Sequence, residues 1–313
     1  MPEFFHERSD TKTLIESIAV ESDIYEAVIE KDYWIMHCLW GLQRLGLVFE
    51  MKGGTSLSKG WGIIDRFSED IDIRFDAPAT LNLKSDKQAH VSARLAFFDD
   101  LAGGIKIPGI KAVRNTQYDD EKAQNGGLAL RYEPLFKPLA GIKPEVLLEA
   151  GFDRTAPNEP RDFSSWVFDR ALKVGLDVID NRARGVRCYN PEYTFVDKLQ
   201  TICRRYRQRR DRNHAENDRP RNFLRHYYDL YKLLEVPRVK AFIGTAEYDD
   251  YKKVKIKASD AEELATREPF KLEDPKTFAL FEREFDHMNT MLLAPAPKFK
   301  DLIERFRENA PKF

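Results

Sequence analysis

The chain has 313 residues, enough to bury a large core in one large or two moderate domains. Its net charge of −1 removes any global electrostatic case for a nucleic-acid partner, although 33% of the residues are charged and local basic clusters remain possible. Cys38, Cys188 and Cys203 are odd in number and far apart, with no CxxC or HxxxH pattern, which argues against a disulfide framework and a structural zinc site. No apolar run approaches the ~18 residues of a membrane span, and no signal-peptide pattern is seen, so a cytoplasmic protein that uses no membrane is expected.

Residues 10–46 read as helix, broken at Ser22-Asp23. In the second part, apolar residues from Ile24 to Leu45 occupy more than one face, the pattern of a helix buried against a sheet. Glu30-Lys31-Asp32 reads as its polar side, with Tyr33 and Trp34 in the core; Lys31 is long enough to reach a nucleotide phosphate.

A short apolar strand at 47–51 leads into KGGTSLSKGWGIIDRFSEDID, Lys52 to Asp72. A Gly-Gly turn between strand and helix lets backbone N–H groups approach a phosphate closely, so Gly53, Gly54, Thr55 and Ser56 form a candidate nucleotide cradle. The stretch ends in a strand at 70–75. Side chains alternate across a pleat, which puts Asp70 and Asp72 on one face and Ile71 and Ile73 in the core. Two adjacent carboxylates call for a cation, and hard oxygen ligands that work together with substrate phosphates suit Mg2+. Ser68, two residues before Asp70, is within reach of whatever the metal holds.

Residues 76–125 are polar, with one helix at roughly 86–102; strands follow at 127–133 and 141–149, and 158–161 reads as loop. Glu145, Leu147 and Glu149 share a strand face, so either glutamate can supply a third carboxylate to the metal site. After a short strand at 186–189, Asn190 can cap a helix that starts at Pro191 and carries the stripe Phe195, Leu199, Ile202 and Tyr206, with Lys198 on its edge. The basic run Arg204, Arg205, Arg207, Arg209 and Arg210, extended by Arg219 and Arg221, is a candidate track for an RNA backbone; the alternative is pairing with nearby acids such as Asp211 and Glu216. In the next helix Phe223, Leu224, Tyr227, Tyr231 and Leu234 face the core, and Asp229 falls on the other side with Arg225 and Lys232. A catalytic core over 1–188 and a helical C-terminal domain over 189–313 are expected.

GGTSLSK…RFSEDIDI resembles the first motif of the nucleotidyltransferase superfamily, and with EKDYW, LLEAGF, PEYTFVDKLQ and RHYYDLYKL it resembles the AbiEii/AbiGii toxin family of type IV toxin–antitoxin and abortive-infection systems. Glu50-Met51 replaces the family's aromatic before the lysine, and Asp197 stands where the family has Glu. The resemblance implies an α+β fold with a mixed sheet flanked by helices and a mainly helical C-terminal part. It implies a Mg-dependent toxin that transfers NMP from NTP to a tRNA 3′ end or a protein hydroxyl, with a cognate antitoxin protein as partner. It favours Glu149 as the third carboxylate, makes Lys198 a triphosphate ligand that compensates developing charge, and places Asp229 in the active site, where it orients the lysine or the base. The competing readings are a two-metal nuclease, which needs no Gly-Gly cradle, and a non-catalytic nucleotide or RNA binder, which needs no full set of carboxylates.

Overall fold

Alternation of apolar and polar residues along the central strands, flanked by weakly patterned edge strands, builds a single seven-stranded mixed sheet. The computed structural model describes residues 2–139, 141–152, 156–212, 221–288 and 292–313, without the side chains of Arg221 and Asn222. Contacts divide the chain into two units: one runs to Trp61 and from Ser68 to Tyr189, the other holds Gly62–Phe67 and Asn190–Phe313. The chain therefore leaves the first unit for six residues between the glycine motif and the carboxylate pair.

In the first unit, helices α1 (Thr11–Ser22) and α2 (Glu26–Arg44) precede β1 (Phe49–Lys52), α3 (Gly53–Thr55) and β2 (Asp70–Phe75). Asp23 adopts a left-handed backbone (φ 55°) that breaks α1 from α2, at the predicted point. Then follow α4 (Gln88–Gly104), β3 (Lys111–Asn115), β4 (Asn125–Arg131), β5 (Val146–Gly151), β6 (Asn158–Phe163), α5 (Trp166–Lys173) and β7 (Ala183–Tyr189). The strand order is β3-β4-β5-β2-β1-β7-β6. β2 runs parallel to β5 and β1 parallel to β7; the other pairs are antiparallel. Met51, Ile71, Ile73, Val146, Leu148, Leu128 and Leu130 are all fully buried on one face, and α2 packs on β2, β5 and β7. The mixed sheet with flanking helices agrees with the α+β expectation.

Several boundaries differ from the reading by pattern. The predicted loop at 158–161 is part of β6, an edge strand, where Pro160 removes no interior ladder bond. β3 was hidden in a polar stretch because the opposite edge buries little of its side chains. β5 begins at Val146 rather than near 141, after Pro144.

The second unit is helical: α6 (Pro191–Asp211), α7 (Arg221–Leu233), α8 (Pro237–Phe242), α9 (Ala246–Lys255), α10 (Ala261–Thr266), α11 (Glu268–Lys271), α12 (Pro275–Asp286) and α13 (Phe299–Asn309). Phe195, Leu199 and Ile202 are fully buried, as the stripe on α6 requires. Asn190 stands at the N-cap position, but its side chain makes no cap bond; Pro191 at the first helical position starts the helix. The Tyr227 ring packs among Phe223, Phe281, Phe299 and Phe306, and its hydroxyl donates to the Pro269 carbonyl at 2.6 Å. All three cysteines are free and buried. No described helix is long and apolar enough to cross a membrane.

Candidate active site

The polar face of the sheet is set by register. Asp72 stands opposite Lys52 on β1 and Glu149 on β5, and Glu149 stands opposite Gly127 on β4. Asp70, two residues before Asp72, shares that face, while Ile71 and Ile73 are fully buried behind it. Of the two glutamates, Glu149 lies in the row of Asp72, whereas Glu145 lies 3.8 Å from Arg131. Further along, Glu50 meets Arg74 at 3.4 Å and Arg187 at 3.7 Å, which balances the charge at the other end of the face.

Gly53 is fitted against this row. Its φ is +75°, and a Cβ added there would come 1.9 Å from Asp72 Oδ2. Only glycine satisfies both the left-handed backbone and the close approach. The helical turn that follows widens over Ser56–Gly60, with Trp61 N–H bonded to the Ser56 carbonyl at 3.0 Å. Thr55 and Ser56 are fully buried. The Thr55 hydroxyl donates to the Asp70 carbonyl at 2.5 Å and so ties the glycine turn to β2. Ser68 is half-buried, immediately ahead of β2.

Three consecutive charges on α2 hold the loops around this face. Successive helical residues point about 100° apart, so each reaches a different loop. Glu30 accepts from the N–H groups of Leu135 (2.7 Å) and Phe136 (3.2 Å). Lys31 donates to Glu69 (3.2 Å) and to the carbonyls of Glu145 (2.9 Å) and Lys143. Asp32 accepts from the Trp166 N–H at 2.9 Å and pairs with Lys59, on the turn after the glycines, at 2.6 Å. All three are at most 2% exposed, so the polar side expected here is buried. Lys31, long enough to reach a phosphate, is anchored on protein groups. Burial pushes the Glu30 and Asp32 carboxyls up and the Lys31 ammonium down, with their partners opposing each shift.

Glu69 also accepts from the Lys143 N–H at 2.8 Å, and the Lys143 ammonium lies 2.7 Å from Asp70 Oδ1. Lys143 and Glu69 carry no motif of their own; Glu69 sits unremarked inside SEDID, and Lys143 shows no periodicity signal because it precedes the strand.

In the second unit Asp229 is fully buried. It accepts from Arg66 Nε at 2.6 Å and Nη2 at 2.8 Å, and it pairs with Lys198 Nζ at 2.7 Å. Lys232, on the same side of the helix by sequence, pairs instead with Asp65 at 3.0 Å. Burial alone would raise the Asp229 carboxyl, but the two cations outweigh it and hold it well below the usual carboxylate range. His226, 3.4 Å from Lys198, is kept neutral by burial and by Lys198 and Arg225. Arg66 lies four residues before Asp70 in sequence, and its partner Asp229 is 163 residues away.

The arginine run is mostly engaged. Arg207 pairs with Asp260 (2.7 Å) and Asp211 (2.9 Å), and Arg210 with Glu263 (2.9 Å). Arg209 is buried, Arg204 half-buried and Arg205 exposed. Pairing with acids therefore accounts for Arg207 and Arg210, through Asp260 and Glu263 more than through the anticipated Asp211. Arg219 and Glu216 lie outside the described residues, as does the Arg221 side chain.

Asp70, Asp72 and Glu149 offer hard carboxylate oxygens of the kind a divalent cation such as Mg2+ takes, with Lys52 opposite Asp72 in the same row. Asp70 is already engaged by Lys143, and among the described residues no three His, Cys, Asp or Glu side chains converge as a metal cluster. A carboxylate pair opening a strand of a mixed sheet, with a glycine turn pressed against it, is the arrangement of a nucleotidyltransferase. The chain belongs to the family described as nucleotidyl transferase AbiEii toxin, type IV toxin–antitoxin system, which it matches over residues 35–308. It is accordingly an enzyme that transfers nucleotidyl groups, and a toxin whose system includes an antitoxin. A comparison with curated proteins gives no match.

Proposed function

We propose that this toxin uses Mg2+ and an NTP to transfer a nucleotidyl group to the 3′ end of a tRNA, and that Asp70, Asp72 and Glu149 hold the metal. The observation that carries this reading is the fit of Gly53 against Asp72, which joins the phosphate-binding turn to the carboxylate row. A divalent cation on these oxygens would neutralise the triphosphate and lower the pKa of the attacking hydroxyl. The turn Gly53 to Ser56 offers backbone N–H groups to the phosphates, with Ser68 close by in sequence. Lys198 is assigned to the developing negative charge, and Asp229 holds its ammonium in place. The acceptor oxygen bonds to the α-phosphorus as the bond to the leaving pyrophosphate breaks.

The tRNA acceptor is supported by the density of arginine on α6, where Arg204, Arg205, Arg207, Arg209 and Arg210 follow one another and Arg207 and Arg210 also face carboxylates. Exposed Arg205 is the sharpest test. Arg205→Ala is expected to make the salt dependence of tRNA binding shallower by about 0.7–0.9 in log–log slope. The Arg207→Ala, Arg210→Ala double variant should change that slope by less, because those guanidiniums already face carboxylates.

Purified protein incubated with each α-32P-labelled NTP, total tRNA and either Mg2+ or EDTA tests the whole reading. Label in tRNA that requires Mg2+ supports it. Label only in protein moves the acceptor to a protein hydroxyl, and shortened RNA without label would indicate a nuclease. Labelling that survives EDTA removes the metal.

A further inference from the structure

The contact between Lys143 and Asp70 is built, not incidental. The side chain of Asp70 is 9% exposed and that of Lys143 31%. The backbone of Lys143 is pinned on both sides: its N–H donates to Glu69, and its carbonyl, like that of Glu145, accepts from Lys31. Lys31 and Glu69 are a buried pair, 3.2 Å apart and 1% and 5% exposed. Buried pairs add little net stability after desolvation, and their best-attested use is to fix geometry. What this one fixes is the residue whose ammonium reaches Asp70. The Tyr118 ring lies 5.5 Å from the same ammonium. Gly127 makes room for that ring, since a Cβ there would meet the Tyr118 Cβ at 2.6 Å.

A divalent cation on Asp70 would stand within a few ångströms of this ammonium, and like charges that close repel strongly outside bulk water. The side chain is a flexible four-carbon stem on a fixed backbone, so the ammonium can swing while its anchor stays. We propose that Lys143 couples metal entry to nucleotide entry. Without nucleotide it neutralises Asp70 and opposes the cation; with nucleotide it moves onto phosphate oxygens and leaves Asp70 to the metal. The inference rests on the reading of Asp70 and Asp72 as metal carboxylates. Linkage makes the coupling reciprocal, so metal and NTP raise each other's affinity by one factor.

The test is Mn2+ binding to the full chain, followed by the electron paramagnetic resonance signal of free Mn2+, with and without an α,β-methylene NTP analogue. Wild type is expected to bind Mn2+ weakly alone and more tightly with the analogue. Lys143→Met and Lys143→Gln should bind Mn2+ alone about tenfold more tightly, with the gain from the analogue reduced by a similar factor. Lys143→Arg, which keeps the charge, should stay near wild type. Unchanged or weaker Mn2+ binding by both neutral variants, with an unshifted thermal melt, overturns the proposal. Asp72→Asn separates the two failures. If it too binds Mn2+ like wild type, the metal reading of the site is wrong. If it loses Mn2+ while the Lys143 variants are unchanged, only the coupling falls.

Discussion

A lysine–aspartate pair in the first unit and one of the same length in the second have different physics. Lys143 and Asp70 are 2.7 Å apart, as are Lys198 and Asp229. The first pair has side-chain exposures of 31% and 9%, the second 8% and 0%. Asp229 also accepts two bonds from the Arg66 guanidinium, so three charges are buried together and each depends on the others. Asp70 has one flexible ammonium at the edge of solvent. Distance alone does not assign a role to such a pair. Burial and the number of partners decide whether it is a fixed element of the fold or an exchangeable contact.

The largest effect is expected for Asp229→Ala, which removes the carboxylate that buried Arg66 and Lys198 share. A loss of about 3–5 kcal/mol in unfolding free energy is expected from urea titration. A loss below about 1 kcal/mol would put the two pairs in the same class.

Gly53→Ala probes the first region by shape and not by charge. The left-handed backbone and the collision with Asp72 should cost about 1–3 kcal/mol of stability. Nucleotidyl transfer should fall further than the melting temperature suggests, because Asp72 must move to admit the methyl group. Transfer at wild-type rate would separate the glycine turn from the carboxylate function.

Acidification sharpens the contrast in the second unit. The folded protein keeps His226 neutral, with a pKa well below its ordinary value, so the unfolded chain takes up the proton first. Stability should therefore be level above about pH 7 and decline below about pH 6.5, by up to about 1.4 kcal/mol per pH unit for this one group. Asp229, also depressed, contributes stability that is present above its unfolded pKa of about 3.9 and is lost as pH falls through its folded value. Urea midpoints at pH 7.5 and 5.5 check the first step, and His226→Gln should reduce it, with His37, also lowered by burial, contributing the same sign.

The smallest effect is expected for Lys143→Met. Its partly exposed pair should contribute less than about 1 kcal/mol to stability, readable as a near-wild-type urea midpoint. A loss of several kcal/mol would make this pair structural as well.

What repeats locally was readable from the order of residues alone. Alternation placed Asp70 and Asp72 on one face and Ile71 and Ile73 in the core, and the start at Pro191 and the stripe on α6 were legible for the same reason. The phrases from GGTSLSK to RHYYDLYKL were enough to point to the family. Periodicity carries no record of distant partners, however. Nothing in the chain announces that Arg66 meets Asp229 across 163 positions, or that Lys31 binds carbonyls more than a hundred residues later. The run RRYRQRRDR reads as a basic track until Asp260 and Glu263, from another helical segment, are brought beside it. Edge strands β3 and β6 escaped because half-exposed strands lack a strong apolar rhythm. Local sterics and burial write themselves into sequence order, whereas charge pairing is settled by which surfaces the folded chain brings together.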